Sequence, residues 1–128
     1  MSNKHLIDGK KILVVDDEID VLESVEELLP MCEVVRADNF EEAKKHLESE
    51  YFDLCILDIM GVDGYQLLNI ANQNNVTAVM LTAHSLSVED TVKSFKSGAA
   101  YYVPKEKMAE MADCLNDVLE AKKENKGF

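Results

Sequence analysis

Five polar residues close short aliphatic runs in this chain, and their types suit phosphoryl chemistry. Asp16 and Asp17 follow KILVV, Asp58 follows DLCIL, Thr82 follows VTAVML, and Lys105 follows the run from Ala100 to Val103. Each has an ordinary account by itself: an acid at a helix start, a turn cap, a strand end, a solvated lysine. Jointly those accounts weaken, because three carboxylates brought together repel by roughly 4 kcal/mol per pair at about 4 Å and an effective dielectric of about 20. A hard divalent cation relieves that repulsion. Magnesium, which keeps several waters and uses one or two carboxylates, fits better than calcium, which recruits more protein ligands. A carboxylate beside such an ion, faced by an ammonium and a hydroxyl, has the parts to accept a phosphoryl group itself and become an aspartyl phosphate.

The elements that must position these residues alternate in type. Lys11 to Val15 is too short for a helix, and Val21, Leu22, Val25, Leu28 and Leu29 then recur at helical spacing until Pro30. Glu33 to Ala37 precedes a helix carrying Phe40, Ala43 and Leu47, with Asp38 or Asn39 at its N-cap. Asp53 to Leu57 precedes Leu67, Leu68, Ile70 and Ala71, with Asp63 and Gln66 spaced as a capping pair. Val76 to Leu81 precedes Val88, Val92 and Phe95, with Ser87 and Asp90 so spaced. Ala100 to Val103 precedes a last helix bearing Met108, Met111, Leu115, Val118 and Leu119. Strands apolar on both faces and separated by helices predict a parallel sheet covered on both sides, an open (βα)5 sandwich. In such sheets the acting residues lie outside the carboxyl ends of the strands, where all five polar residues fall.

The length of 128 residues, 47% of them hydrophobic, predicts one domain spanning 1–128. With 25 acidic against 13 basic residues the formal charge is −12, which opposes nucleic acid and anionic membrane as partners. Cys32, Cys55 and Cys114 are odd in number and lack a C-x-x-C pair, which suits reduced thiols in a cytoplasmic protein. The polar start MSNKHLIDGKK is no signal peptide, and no apolar stretch reaches membrane-spanning length.

From Lys11 to about Ala121 the chain resembles the receiver domain of two-component response regulators, chemotaxis-regulator-like. The resemblance is carried by VVDDE (Val14 to Glu18), LDIMGVDGYQLL (Leu57 to Leu68), LTAHS (Leu81 to Ser85) and SGAAYYVPKE (Ser97 to Glu106), in order and each on the matching strand. It implies a doubly wound, flavodoxin-like sheet of strand order 2-1-3-4-5. It implies that Asp58 is the phosphoacceptor and that Asp17 and Asp58 bind Mg²⁺ directly. Asp16 would act through a metal-bound water, and the Met60 carbonyl would complete the set. Thr82 and Lys105 would hold phosphoryl oxygens, and Tyr102, rather than Tyr101, would be the aromatic switch. A signalling domain rather than an enzyme is implied, served by a sensor histidine kinase or phosphotransfer protein. Phosphorylation would bias the surface of the fourth helix, fifth strand and fifth helix for an output protein or domain, or for homodimerisation.

Three departures from the family pattern bear on this. The segment IMGVDG after Asp58 is shorter than usual and lacks the proline, so the turn into the third helix is tighter, with Gly61 or Gly64 supplying positive φ. Pro104 precedes Lys105, reversing the usual order. Met60 and His84 occupy the positions that modulate water access and neither would position water, so the phosphoryl group is expected to outlast seconds. Two other classes compete with this reading. A pseudo-receiver, a phosphorylation-independent interaction module, has no need of the clustered acids. A phosphohydrolase with an Asp nucleophile would carry D-x-D at the first strand, which Asp16-Asp17-Glu18 is not. The polar tail from Lys122 to Lys126 suits either a stand-alone receiver or one portion of a longer protein.

Overall fold

The computed structural model describes residues 6–59, 62–82, 96 and 98–123. Five strands form one sheet: β1 (Lys11–Val15), β2 (Glu33–Ala37), β3 (Leu54–Asp58), β4 (Thr77–Thr82) and β5 (Tyr101–Pro104). Their order is β2-β1-β3-β4-β5 and every pairing is parallel. The parallel sheet is the one expected from the alternation of apolar runs and amphipathic stretches, and its order is the one the family resemblance implies. Three helices lie along the first part of the chain, α1 (Ile19–Leu28), α2 (Phe40–Ser49) and α3 (Gly64–Gln73). The last helix spans Met111–Lys123.

Every residue of β3 is buried, because its period-two alternation feeds two cores. Leu54 and Ile56 pack with Leu22, Val25, Met111 and Leu115 on one face. Cys55 and Leu57 pack with Ala43, Leu47, Leu67 and Leu68 on the other. With its sides filled and apolar, such a strand leaves a polar group room only at its end, and Asp58 is its last residue.

Local chemistry accounts for the helix boundaries. Asn39 caps α2, its side chain accepting the Glu42 N–H at 2.9 Å. Helix α1 stops at Leu28, two residues before Pro30, which has no N–H to extend it. The start of α3 differs from expectation. Asp63 sits at the N-cap but makes no side-chain cap hydrogen bond, and it is Asp63, at φ 55°, that takes the left-handed conformation. Gly64 serves another purpose: a Cβ there would lie 2.3 Å from the Asp58 carbonyl oxygen and 2.8 Å from Ile59 Cα. The short turn brings α3 so close to the end of β3 that a side chain has no room. Gly61 lies outside the described residues.

At the far edge, β5 ends in Pro104, tolerated because an edge strand lacks a partner on one side. The Val103–Pro104 bond is trans. Pro104 is followed by a 3₁₀ segment, Lys105–Glu110, with a kink at Lys107, so Met108 precedes the last helix rather than lying in it. The helix expected around Val88, Val92 and Phe95, with Ser87 and Asp90, lies outside the described residues, as do Met60 and His84.

Gly64→Ala should lower the unfolding free energy by about 3 kcal/mol, since backbone rather than a flexible side chain must give way. Urea denaturation would measure this, and a loss under about 1 kcal/mol would contradict the close approach.

Candidate functional site

The acidic edge is built from the strand ends inward. The Asp16 N–H donates to the Ala37 carbonyl at 3.2 Å, which extends the β1–β2 ladder by one residue and fixes Asp16 against the sheet. Its Oδ1 accepts the Glu18 N–H at 2.9 Å, turning the chain into α1. Asp16 is 0% exposed, whereas Asp17 and Glu18 are open to solvent. Carboxylate oxygens of Asp16, Asp17 and Glu18 all lie within 4.8 Å of one another.

On the adjoining strand, Asp58 is 5% exposed, and the following Ile59 N–H donates to the Leu81 carbonyl at 3.2 Å. Thr82 ends β4, also buried, opposite Pro104 of β5. Lys105 follows directly, and the 3₁₀ turn sends its side chain back over the strand ends. Its Nζ lies 2.9 Å from Asp16 Oδ2, 3.0 Å from Glu18 Oε1 and 3.6 Å from Asp58 Oδ1. Thus Asp16, Asp17, Asp58, Thr82 and Lys105, drawn from four strand ends, occupy the same edge.

The contact between Lys105 and Asp16 Oδ2 is an ion pair by distance, yet that oxygen has no hydrogen bond, so the ammonium approaches it at a poor angle. A fully buried carboxylate oxygen is therefore left without a directional donor. Burial drives the Asp16 pKa upward and nearby Asp58 adds to this, against the Glu18 N–H and Lys105, which lower it. The net direction is up. For Lys105, burial alone would lower the pKa. Its contacts with Asp16 and Glu18, with the charges of Asp16 and Asp58, outweigh that and hold it above the usual lysine value. Three carboxylates converge on one ammonium and Asp17 stands beside them, an excess of negative charge in a partly desolvated place. The donor set and the undirected Asp16 oxygen fit a hard divalent cation.

The two tyrosines separate by exposure. Tyr102, in register with Met80, is half-buried against the core on the α2 and α3 face, while Tyr101 is 39% exposed, with the rings stacked at a centroid distance of 6.0 Å. Sequence alone assigns Glu18 no role in the site. Its position after two acids and before a helix suggests only a favourable helix dipole, and its partner Lys105 is 87 positions away.

A parallel α/β sheet with its acids gathered at the carboxyl edge, and a lysine closing them from beyond the last strand, defines a receiver-like signalling domain. The response regulator receiver domain profile matches residues 12–116, and the chain belongs to that family. A CheY-like receiver domain protein from Methanospirillum hungatei superimposes with a TM-score of 0.79 at 29% identity, over 91% of this chain and 98% of that one. The DrrB receiver domain in a BeF3-activated form does so with a TM-score of 0.77, also at 29% identity, over 88% and 98%. The probable transcriptional regulator ycf27 of Cyanophora paradoxa is 38% identical over 104 residues, 77% of this chain. The chain spans 43% of that protein's length, and less than half of each curated relative. No helix among the described residues is long and apolar enough to cross a membrane.

Because the folded state raises the Asp16 pKa, the stability this group contributes is full below its ordinary value of 3.8 and is lost as pH rises through the raised value. At neutral pH the ionised group opposes folding. Asp16→Asn should therefore increase the urea midpoint at pH 7 in metal-free buffer and remove the loss of stability that ionisation of Asp16 brings as pH rises. A lower midpoint would show that the carboxylate contributes more through Lys105 and the Glu18 N–H than burial costs it.

Proposed function

We propose that this chain is a phosphoaccepting receiver domain of a two-component phosphorelay, with Asp58 as the acceptor. The observation that carries the reading is the setting of Asp58. It is a nearly buried carboxylate at a strand end, with Lys105 Nζ 3.6 Å from Oδ1 and the buried, undirected Asp16 oxygen beside the same ammonium.

In this reading an Asp58 oxygen attacks the phosphorus of a phosphohistidine on a sensor kinase or phosphotransfer protein. An O–P bond forms as the P–N bond breaks, and the leaving imidazole takes up a proton. Asp17 and Asp58, with Asp16 through a water and the Met60 carbonyl, would hold Mg²⁺, which supplies charge compensation for the phosphoryl oxygens. Lys105 pairs with one phosphoryl oxygen and the Thr82 hydroxyl donates to another. Thr82 stands buried at the end of β4, and the half-buried Tyr102 lies on the neighbouring strand against the core on the α2 and α3 face; in this reading movement of Thr82 toward the phosphate vacates space that the ring enters. The outer surface near β5 then differs between the two states, and an output protein, an attached output domain or a second copy reads the difference. We place the domain in the cytoplasm, where its kinase partner delivers the group.

Intact-mass analysis after incubation with Mg²⁺ and a small phosphodonor such as acetyl phosphate should show the gain of one phosphoryl group. Asp58→Asn should show none, and chelation of Mg²⁺ should reduce the yield at least about a hundredfold, as expected when charge compensation is removed from phosphoryl transfer. Equal modification of the Asn variant would reject Asp58.

A further inference from the structure

Glu18 stands at this edge without a place in the chemistry above. It occupies the N-cap position of α1, yet its side chain makes no capping hydrogen bond. Instead its Oε1 accepts from Lys105 Nζ at 3.0 Å. The same Nζ is 3.6 Å from Asp58 Oδ1, beyond hydrogen-bonding range. The backbone of Glu18 is fixed by the acid that shares the lysine, since its N–H donates to Asp16 Oδ1. The ammonium is thus drawn toward the β1 end of the edge by two carboxylates and stands off the third.

We propose that Glu18 is a positioning residue that holds Lys105 away from Asp58 and competes for it with the phosphoryl group, setting how readily the acceptor is modified. The inference rests on the phosphoacceptor reading of Asp58. The two holders differ in kind. Asp16 is buried, and losing its ammonium would leave an uncompensated charge in the interior. Glu18 is 64% exposed, so water can replace the lysine and the pair is weak. An exposed pair of this sort changes an equilibrium by up to about fivefold. That suits an adjustment of occupancy rather than a lock. Glu18 also lies with Asp16 and Asp17 among oxygens that could bind a cation, so a role as metal ligand is the competing account.

The test is calorimetric titration of beryllofluoride, a phosphoryl mimic, at saturating Mg²⁺ into wild type, Glu18→Gln, Lys105→Met and the double variant, beside titration of Mg²⁺ alone. Glu18→Gln should bind beryllofluoride about two- to fivefold more tightly. The gain should vanish in the Lys105→Met background, and the affinity for Mg²⁺ alone should change less than about fivefold. No gain, a gain that persists without Lys105, or a fall in Mg²⁺ affinity of about fivefold or more would each overturn the proposal. If wild type neither binds beryllofluoride nor accepts a phosphoryl group, the reading of Asp58 fails. The hold on Lys105 is then judged by the unfolding equilibria of the four proteins in metal-free buffer. Non-additivity of about twofold or more is expected between the two substitutions, and additivity overturns the hold.

Discussion

One ammonium among several carboxylates is the interaction on which this edge of the molecule depends. Lys105 reaches back from beyond β5 to Asp16, Glu18 and Asp58, which belong to the ends of β1 and β3 or the turn beyond. Without a cation there, those acids would repel in a setting where water is partly excluded and screening is weak. The arrangement leaves the charge incompletely balanced, and the buried Asp16 oxygen without a directional donor is the clearest mark of that. A site short of positive charge suits a cation and then a phosphoryl group bound with it.

The sheet makes this concentration of charge possible. Parallel pairing aligns the carboxyl ends of all five strands, and helices on both faces leave room for ionised groups on the central strands only at their ends, Lys11 at the amino end of β1 and the acids at the carboxyl edge. Strand β3 is the extreme case, buried throughout until Asp58. The same crowding explains Gly64. With few residues between β3 and α3, the helix begins against the Asp58 and Ile59 backbone, and only a residue without a side chain fits. Turn length and site geometry are coupled here, because the carbonyl that Gly64 approaches belongs to Asp58 itself.

Much of this was legible in the chain. Period-two aliphatic runs and period-3.6 stretches are local patterns, and their alternation prescribes a parallel sheet once both faces of each strand are apolar. The five polar residues could be picked out because each follows such a run directly or one residue later. The cap of α2 was narrowed to Asp38 or Asn39 for the same local reason, and the structure selects Asn39. The start of α3 was not legible in this way: the spacing of Asp63 from Gln66 imitates a capping pair, but Asp63 takes a left-handed conformation and its side chain makes no cap hydrogen bond. Likewise the requirement for Gly64 comes from contact with another element rather than from its own φ.

Strand type and the identity of the edge residues were therefore determined by the sequence itself, since they follow from side-chain periodicity and short-range spacing, while strand order was implied by the family resemblance. Which oxygen lacks a donor, how far Lys105 stands from each acid, and the pairing of Glu18 with a lysine 87 positions away were decided by tertiary structure. Electrostatic energy depends on distance and burial, and neither exists until the strands are side by side.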